Sequence, residues 1–241
     1  MNTIARPFPD GDSADGGVAT TAAWEMALRA LVEVPAVTGV PREFYVRRMT
    51  RWQAEAHREL MADMYVAACP APGGTHFENR GAFLARLYRD LQQPGFDLVV
   101  ADGISALGYG YGFRLRRDGT WWNGYAGELP PLLGQLTACG RVFALGELVV
   151  LPQNRRGRIA TRIVESLLAR SGALLATALV APDNAAAQAA CAAWGWKPIG
   201  RLLPAGEKTP LDVLVHPVLP RVHTAGHLSW TTGRPDWSSA A

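Results

Sequence analysis

Cysteine is scarce in this chain. Cys69, Cys139 and Cys191 are the only three in 241 residues, they lie far apart, and no Cys-x-x-Cys occurs. That excludes a disulfide framework and a zinc site built on paired thiolates. Long apolar runs are missing too: none approaches the ~20 residues that a helix needs to cross a bilayer, so no membrane span is expected. Met1–Asp15 carries Asp10, Asp12 and Asp15 and no apolar stretch. It lacks the pattern of a signal peptide, and a cytoplasmic location is expected. Net charge is small, +3, with no block of Lys or Arg, which argues against a nucleic-acid partner. His216, His223 and His227 lack the spacing of metal ligands, so no metal is expected.

What is present is an apolar fraction of 49%, ordinary for a globular protein and enough chain for one large domain or two small ones. Residues 1–40, rich in Gly, Ala, Asp and Thr, read as a weakly structured N-terminal extension with one candidate helix over Thr20–Glu33. Residues 221–241 read as a C-terminal tail, and 41–220 as the folded domain.

Within that domain, Phe44–Met49 fits a short strand. Trp52, Ala56, Leu60 and Met64 recur every four residues, which predicts an amphipathic helix with that stripe inward. Pro70, Pro72, Gly73 and Gly74 mark a loop. A second helix carries Phe83, Leu87 and Leu91 on one stripe and stops at Pro94–Gly95. Phe96–Ala101 and Ile104–Leu115 read as strands joined by an Asp102–Gly103 hairpin, the second closely approached at Gly108, Gly110 and Gly112. Arg117–Gly140 reads as a long connection with three exposed aromatics, Trp121, Trp122 and Tyr125. These could wall an acceptor pocket or pack the connection onto a sheet. Arg141–Leu151 is a strand, Arg156–Arg170 a helix stopped by Gly172, and Leu174–Val180 a buried strand. A helix capped by Asp183 or Asn184 places Ala187, Cys191 and Trp194 on one face. Trp196–Leu203 and Leu211–Val218 close the order as strands. This mixture predicts an α/β (α+β) class with a mixed central sheet.

The segment Leu145–Leu168, LGELVVLPQNRRGRIATRIVESLL, is a strand, a turn and a helix start. A helix N-terminus presents unpaired N–H groups and the positive end of the dipole, which makes a phosphate cradle. Arg155, Arg156 and Arg158 add charge suited to phosphate. The Lys-Ser/Thr of a nucleotide P-loop is absent, and one glycine is too few for a dinucleotide fingerprint.

This unit resembles motif A of the GNAT N-acetyltransferase superfamily, Arg/Gln-x-x-Gly-x-Gly/Ala. Arg155 matches the first position, Ile159 the apolar one and Ala160 the last; Arg158 stands where the family has glycine, with Gly157 one place earlier. Downstream, Asn184, Ala187, Gly195 and Trp196 are similar to the family's Asn-x-x-Ala-x-x-x-Tyr-x-x-x-Gly-Phe, with Cys191 at the tyrosine position. The element order agrees from about Phe44 to Val218, so the resemblance spans most of the chain.

The resemblance implies a GNAT-like mixed sheet with helices on both faces and a splayed pair of parallel strands. It implies acetyl-CoA, or another acyl-CoA, as cosubstrate, bound at Leu148, Val149, Val150, Arg155, Arg156, Gly157, Arg158, Ile159, Ala160, Thr161, Asn184 and Ala187. It implies direct attack of an amine on the thioester, the oxyanion held by a backbone N–H of the strand near Val149 or Val150. Glu147 is the carboxylate on that strand and the candidate base; the other reading is an exposed glutamate or one paired with an arginine. Cys191 is the candidate proton donor, a free thiol titrating near ~8.5, or a small core residue. Asn184 either bonds the cosubstrate or caps its helix. His76 is a weak acceptor-side candidate. The expected function is acetyl transfer to a small-molecule amine by a monomer or homodimer. Protein or peptide N-acetylation, and a non-catalytic acyl-CoA sensor, are the alternatives.

Overall fold

The computed structural model describes residues 44–69, 76–205 and 208–218. The expectations for 1–40, for the loop at 70–75, for the tail with His223 and His227, and for the His76 side chain lie outside the described residues.

Fourteen segments follow in order. They are β1 (Tyr45–Met49), α1 (Arg51–Ala56), α2 (Arg58–Ala68), α3 (His76–Leu91), β2 (Asp97–Asp102), β3 (Ala106–Arg114), α4 (Pro131–Ala138), β4 (Val142–Val150), a 3-10 turn at Pro152–Asn154, α5 (Ile159–Arg170), β5 (Leu175–Val180), α6 (Ala185–Ala193), β6 (Lys197–Leu202) and β7 (Leu211–Pro217). One sheet runs β1-β2-β3-β4-β5-β7-β6, and β4–β5 is its parallel pair. Helices α5 and α6 cover one face through Ile159, Ile163, Leu167, Ala187 and Cys191. Helices α1 to α3 cover the other through Ala54, Met61, Tyr65, Phe83 and Leu87, and α4 adds Leu133 to that side's second cluster.

The helices form where the pattern dictates. In α3, Phe83, Leu87 and Leu91 are buried, as their spacing predicts, and each contributes about 1.5–3 kcal/mol by leaving water. Thr50 and Gln53 make a capping box at the start of α1. On β3, Gly110 is required by packing: a Cβ there would lie 2.7 Å from Ile163 Cγ2.

Three expectations are corrected. The stripe Trp52–Ala56–Leu60–Met64 is not the buried one, since Trp52 is 77% exposed. The helix breaks at His57, whose φ of −103° and ψ of 12° reset the phase between α1 and α2, so of that stripe only Met64 is buried, and Ala54, Met61, Ala62 and Tyr65 face inward with it. The connection 117–140 is not structureless, because Pro131 starts the helix α4. Its aromatics are not exposed: Trp121 is buried against Phe113, with ring centroids 5.8 Å apart, and Tyr125 donates to the Ile199 carbonyl at 2.6 Å. Packing onto the sheet is therefore what these rings do. The third correction, the start of α5, belongs to the site.

Candidate active site

Strand β4 positions the site by breaking its own register. Tyr111 faces Glu147 and Gly112 faces Leu145, so Gly146 is an extra residue, a β-bulge. A Cβ on Gly146 would lie 2.7 Å from the Tyr111 ring. Phe143 and Leu145 point toward the α5–α6 layer before the bulge, and Leu148 and Val150 do so after it. Val149 instead joins the α2–α3 layer, and Glu147 shares its side of the strand.

Pairing between β4 and β5 runs from Val142↔Leu175 to Leu145↔Ala178 and stops there, although β4 continues to Val150 and β5 to Val180. Past the bulge the two strands diverge. Leu151 N–H donates to the Leu107 carbonyl on β3. By strand alternation Val149 N–H also faces β3, and the N–H groups of Leu148 and Val150 face the gap.

At the end of β4 the chain turns through Pro152–Asn154 and enters α5 three residues later than the sequence predicts. The cause is backbone conformation: Arg156 (φ 69°) and Arg158 (φ 59°) are left-handed. Arg158 is the N-cap and supplies no side-chain cap, so first-turn N–H groups remain available. An open cleft of about 240 Å³ lies over this start, lined by Val150, Asn154, Arg155, Arg156, Arg158, Ile159, Ala160 and Thr161, with Ala190 and Trp194 opposite. Arg155 is held by a bond from Nη2 to the Ala68 carbonyl at 3.0 Å, and its Nε is buried without a partner among the described residues. Trp194 Nε1–H donates to Thr161 Oγ1 at 3.1 Å, tying α6 to the first turn of α5.

Glu147 is fully buried and paired with Arg86 of α3, Nη2 to Oε2 at 2.5 Å. Its Oε1 accepts from Leu148 N–H at 3.3 Å. Burial outweighs the guanidinium and pushes this carboxyl up to about 7. Pairing with an arginine is thus part of the answer for Glu147. Cys191 is 1% exposed in the α5–α6 core, and burial pushes its thiol up to about 12. Asn184 caps α6, its side chain accepting from Ala187 N–H at 3.2 Å, and both residues lie outside the lining of the cleft. Arg86 and Asp90, both buried, and Trp194, in the lining of the cleft, are residues that motif spacing does not reveal. The signal for the first two is present all the same: Arg86 and Asp90 fall at i+3 and i+7 from Phe83, inside the apolar stripe of α3, where a solvated charge has no place.

No family model matches the chain, and no curated protein matches it. Solved structures do match. A protein from Desulfovibrio desulfuricans assigned to the GNAT family of acetyltransferases superposes with a TM-score of 0.52 at 12% identity, over 73% of this chain and 100% of that one. The fold is the GNAT fold. PH1933 from Pyrococcus horikoshii OT3 superposes with a TM-score of 0.50 at 18% identity, over 73% of this chain and 98% of that one. Identities this low speak for architecture alone. Within this architecture the cleft over the start of α5 shares Val150 with β4, the strand that parts from its parallel neighbour β5. Among the described residues no helix is long and apolar enough to cross a membrane, and no His/Cys/Asp/Glu group could hold a metal ion.

Proposed function

We propose that the chain is an acyl-CoA-dependent N-acyltransferase that moves an acetyl group from acetyl-CoA to a primary amine of a small molecule. One observation carries this reading: β4 and β5 part beside a helix start that has no side-chain cap and is lined with arginines. The residues present fit the cosubstrate. Arg155, Arg156, Arg158 and the N–H groups of Ile159, Ala160 and Thr161 suit a pyrophosphate, with Gly157 between them leaving room. The gap suits a pantetheine arm running between strands in place of a β partner. Val150 N–H suits the thioester oxygen as it gains charge, since Leu148 N–H is already taken by Glu147 Oε1. A small acceptor is supported at β6. Its C-terminal end is already paired, with Ala126 N–H on the Arg201 carbonyl and Leu203 N–H on the Gly124 carbonyl, which closes that edge to an added peptide strand.

In this reading Glu147 takes the first proton of the ammonium, through a water. The freed nitrogen attacks the thioester carbonyl; the C–N bond forms, the C–S bond breaks, and CoA leaves as thiolate. The second proton of the nitrogen balances the one the thiolate takes up, so one proton per turnover passes through Glu147 to solvent. Cys191 takes no part.

The test incubates the full chain with acetyl-CoA and pooled amines, read by mass spectrometry. An acetylated amine and free CoA thiol are expected, with kcat about 100-fold lower in Glu147→Gln. Tight binding of acetyl-CoA without thiol release on any amine overturns the enzyme reading in favour of a sensor.

A further inference from the structure

The cleft over the start of α5 has two unlike walls. One is cationic: Arg155, Arg156 and Arg158 line it, and no described residue in its lining is acidic. The other is aromatic. Trp194 closes α6 at its C-terminal end and lines the cleft together with Ala190, one turn earlier. Ala190 carries only a methyl group, so α6 puts nothing bulky on the line of the helix that leads to the indole. The ring is also fixed in place. Its Nε1–H donates to Thr161 Oγ1 at 3.1 Å, and it packs against the core between the sheet and α5–α6. A ring already held gives up little freedom when a ligand lies against it. The cleft of about 240 Å³ leaves space beside a pyrophosphate, since one water takes only about 10–15 Å³ of such volume.

A group that satisfies both walls is anionic on one side and flat and π-rich on the other. Of the parts of an acyl-CoA only the phosphorylated adenosine is both, because the pantetheine arm is neither charged nor aromatic. We infer that Trp194, held by Thr161, is a specificity-determining residue against which the adenine of the donor lies. The chain then takes nucleotide-bearing acyl donors and discriminates against acyl groups carried on phosphopantetheine alone. Thr161 is a positioning residue that acts through the indole. Neither motif that the chain resembles includes position 194. The inference rests on the reading of this cleft as the cosubstrate site, and the probes below separate the failure of one from the failure of the other.

The test is titration calorimetry on the full chain with three probes: CoA, adenosine 3′,5′-bisphosphate and phosphopantetheine. The wild type should bind phosphopantetheine at least about tenfold more weakly than CoA. Trp194→Ala should weaken CoA and the bisphosphate by about tenfold and change phosphopantetheine, read by displacement, by less than about twofold. Trp194→Phe keeps a ring and should recover most of the loss. Thr161→Val keeps the shape and removes the acceptor of the indole N–H. It should weaken CoA by about two- to fivefold and add nothing further to Trp194→Ala. The bisphosphate should quench part of the indole fluorescence in the wild type and not in Trp194→Phe. Should Trp194→Ala not fold, Trp194→Leu and Thr161→Val carry the same comparison. Equal losses for all three probes, or a bisphosphate affinity that ignores position 194, overturn the inference while CoA binding stands. If the wild type binds none of the probes, the cosubstrate reading falls and this inference with it. If CoA binds through Trp194 but no amine releases its thiol on acetylation, the inference stands and the enzyme reading falls.

Discussion

Arg158→Gly should make the free protein more stable and its grip on acetyl-CoA weaker. Arg158 sits at φ 59° and ψ 13° at the start of α5. An L-residue with a Cβ pays about 1–2 kcal/mol in that region. Glycine avoids this but costs about 0.5–1 kcal/mol more in unfolded-chain entropy. The side chain is exposed, so little packing is lost. The net gain is about 0.5–1 kcal/mol, which for a domain of this size raises Tm by about 1–4 °C. Against that, one cation leaves the cleft proposed to hold the phosphates. An exposed pair is worth up to about 1 kcal/mol, so affinity at low salt should fall about two- to fivefold, and the difference should fade as salt screens it. Scanning calorimetry without ligand and titration calorimetry at two salt concentrations measure both halves. Arg158→Ala is the control: it loses the cation but keeps the Cβ, so it should bind as weakly with no gain in Tm. A lower Tm for Arg158→Gly would mean residue 158 is not left-handed in the folded chain, and unchanged low-salt affinity would mean its guanidinium does not face the phosphates.

Four further outcomes are expected. Gly157→Asp should place a carboxylate against the phosphates and weaken acetyl-CoA binding at least about tenfold with the fold intact, by circular dichroism and titration calorimetry. Cys191→Ala should leave kcat within a few-fold and cost about 1–2 kcal/mol in urea unfolding, because a buried thiol is lost from the α5–α6 core. Glu147 is raised from 4.5 in the free side chain to about 7 in the fold. The folded state therefore binds the proton more tightly, and its contribution to stability is complete below about pH 4.5 and lost as pH rises through about 7, a slope that Glu147→Gln should flatten in a Tm–pH series. A chain cut to Pro41–Pro220 should remain folded and bind acetyl-CoA by differential scanning fluorimetry; failure would make one end integral to the domain.

Much of this architecture is legible in the sequence because apolar period and turn chemistry are local. The stripe Phe83–Leu87–Leu91 and the Asn184 cap each follow from neighbours within a few residues, and each appears where expected; a hairpin also follows β2, but Asp102 stays paired in the strand and the loop is Gly103–Ser105 instead of the Asp102–Gly103 turn, with β3 starting at Ala106. The cleft over the start of α5 is legible for the same reason, since the strand, the turn and the helix start are contiguous. What is not legible depends on residues far apart in the chain. Nothing near Trp52 says that His57 will interrupt the helix. Trp121 and Tyr125 read as exposed until Phe113 and Ile199 are brought against them. The late start of α5 has a local cause, but arginine is a poor advertisement for a left-handed turn, and glycine at 156 and 158 would have announced it.

The direction of Glu147 is the sharpest case, because a single residue decides it. In an unbroken β4, alternation would carry the set Phe143, Leu145, Glu147 along the face that packs on α5 and α6, an apolar layer with nothing to receive a charge. The unpaired Gly146 shifts the phase by one, so Glu147 turns to the α2–α3 side and meets Arg86, while Leu148 and Val150 take over the apolar face. The same extra residue falls where β4 ceases to pair with β5. One glycine, which only a small side chain can occupy against the Tyr111 ring, thus coincides with the opening of the gap and brings a buried carboxylate to its edge, with Oε1 on the N–H of Leu148. Burial of Glu147 and its closeness to the gap are then two consequences of one irregularity. That is why, in the function proposed above, a carboxylate with no exposed surface is the group assigned to take the proton of an amine arriving at the gap.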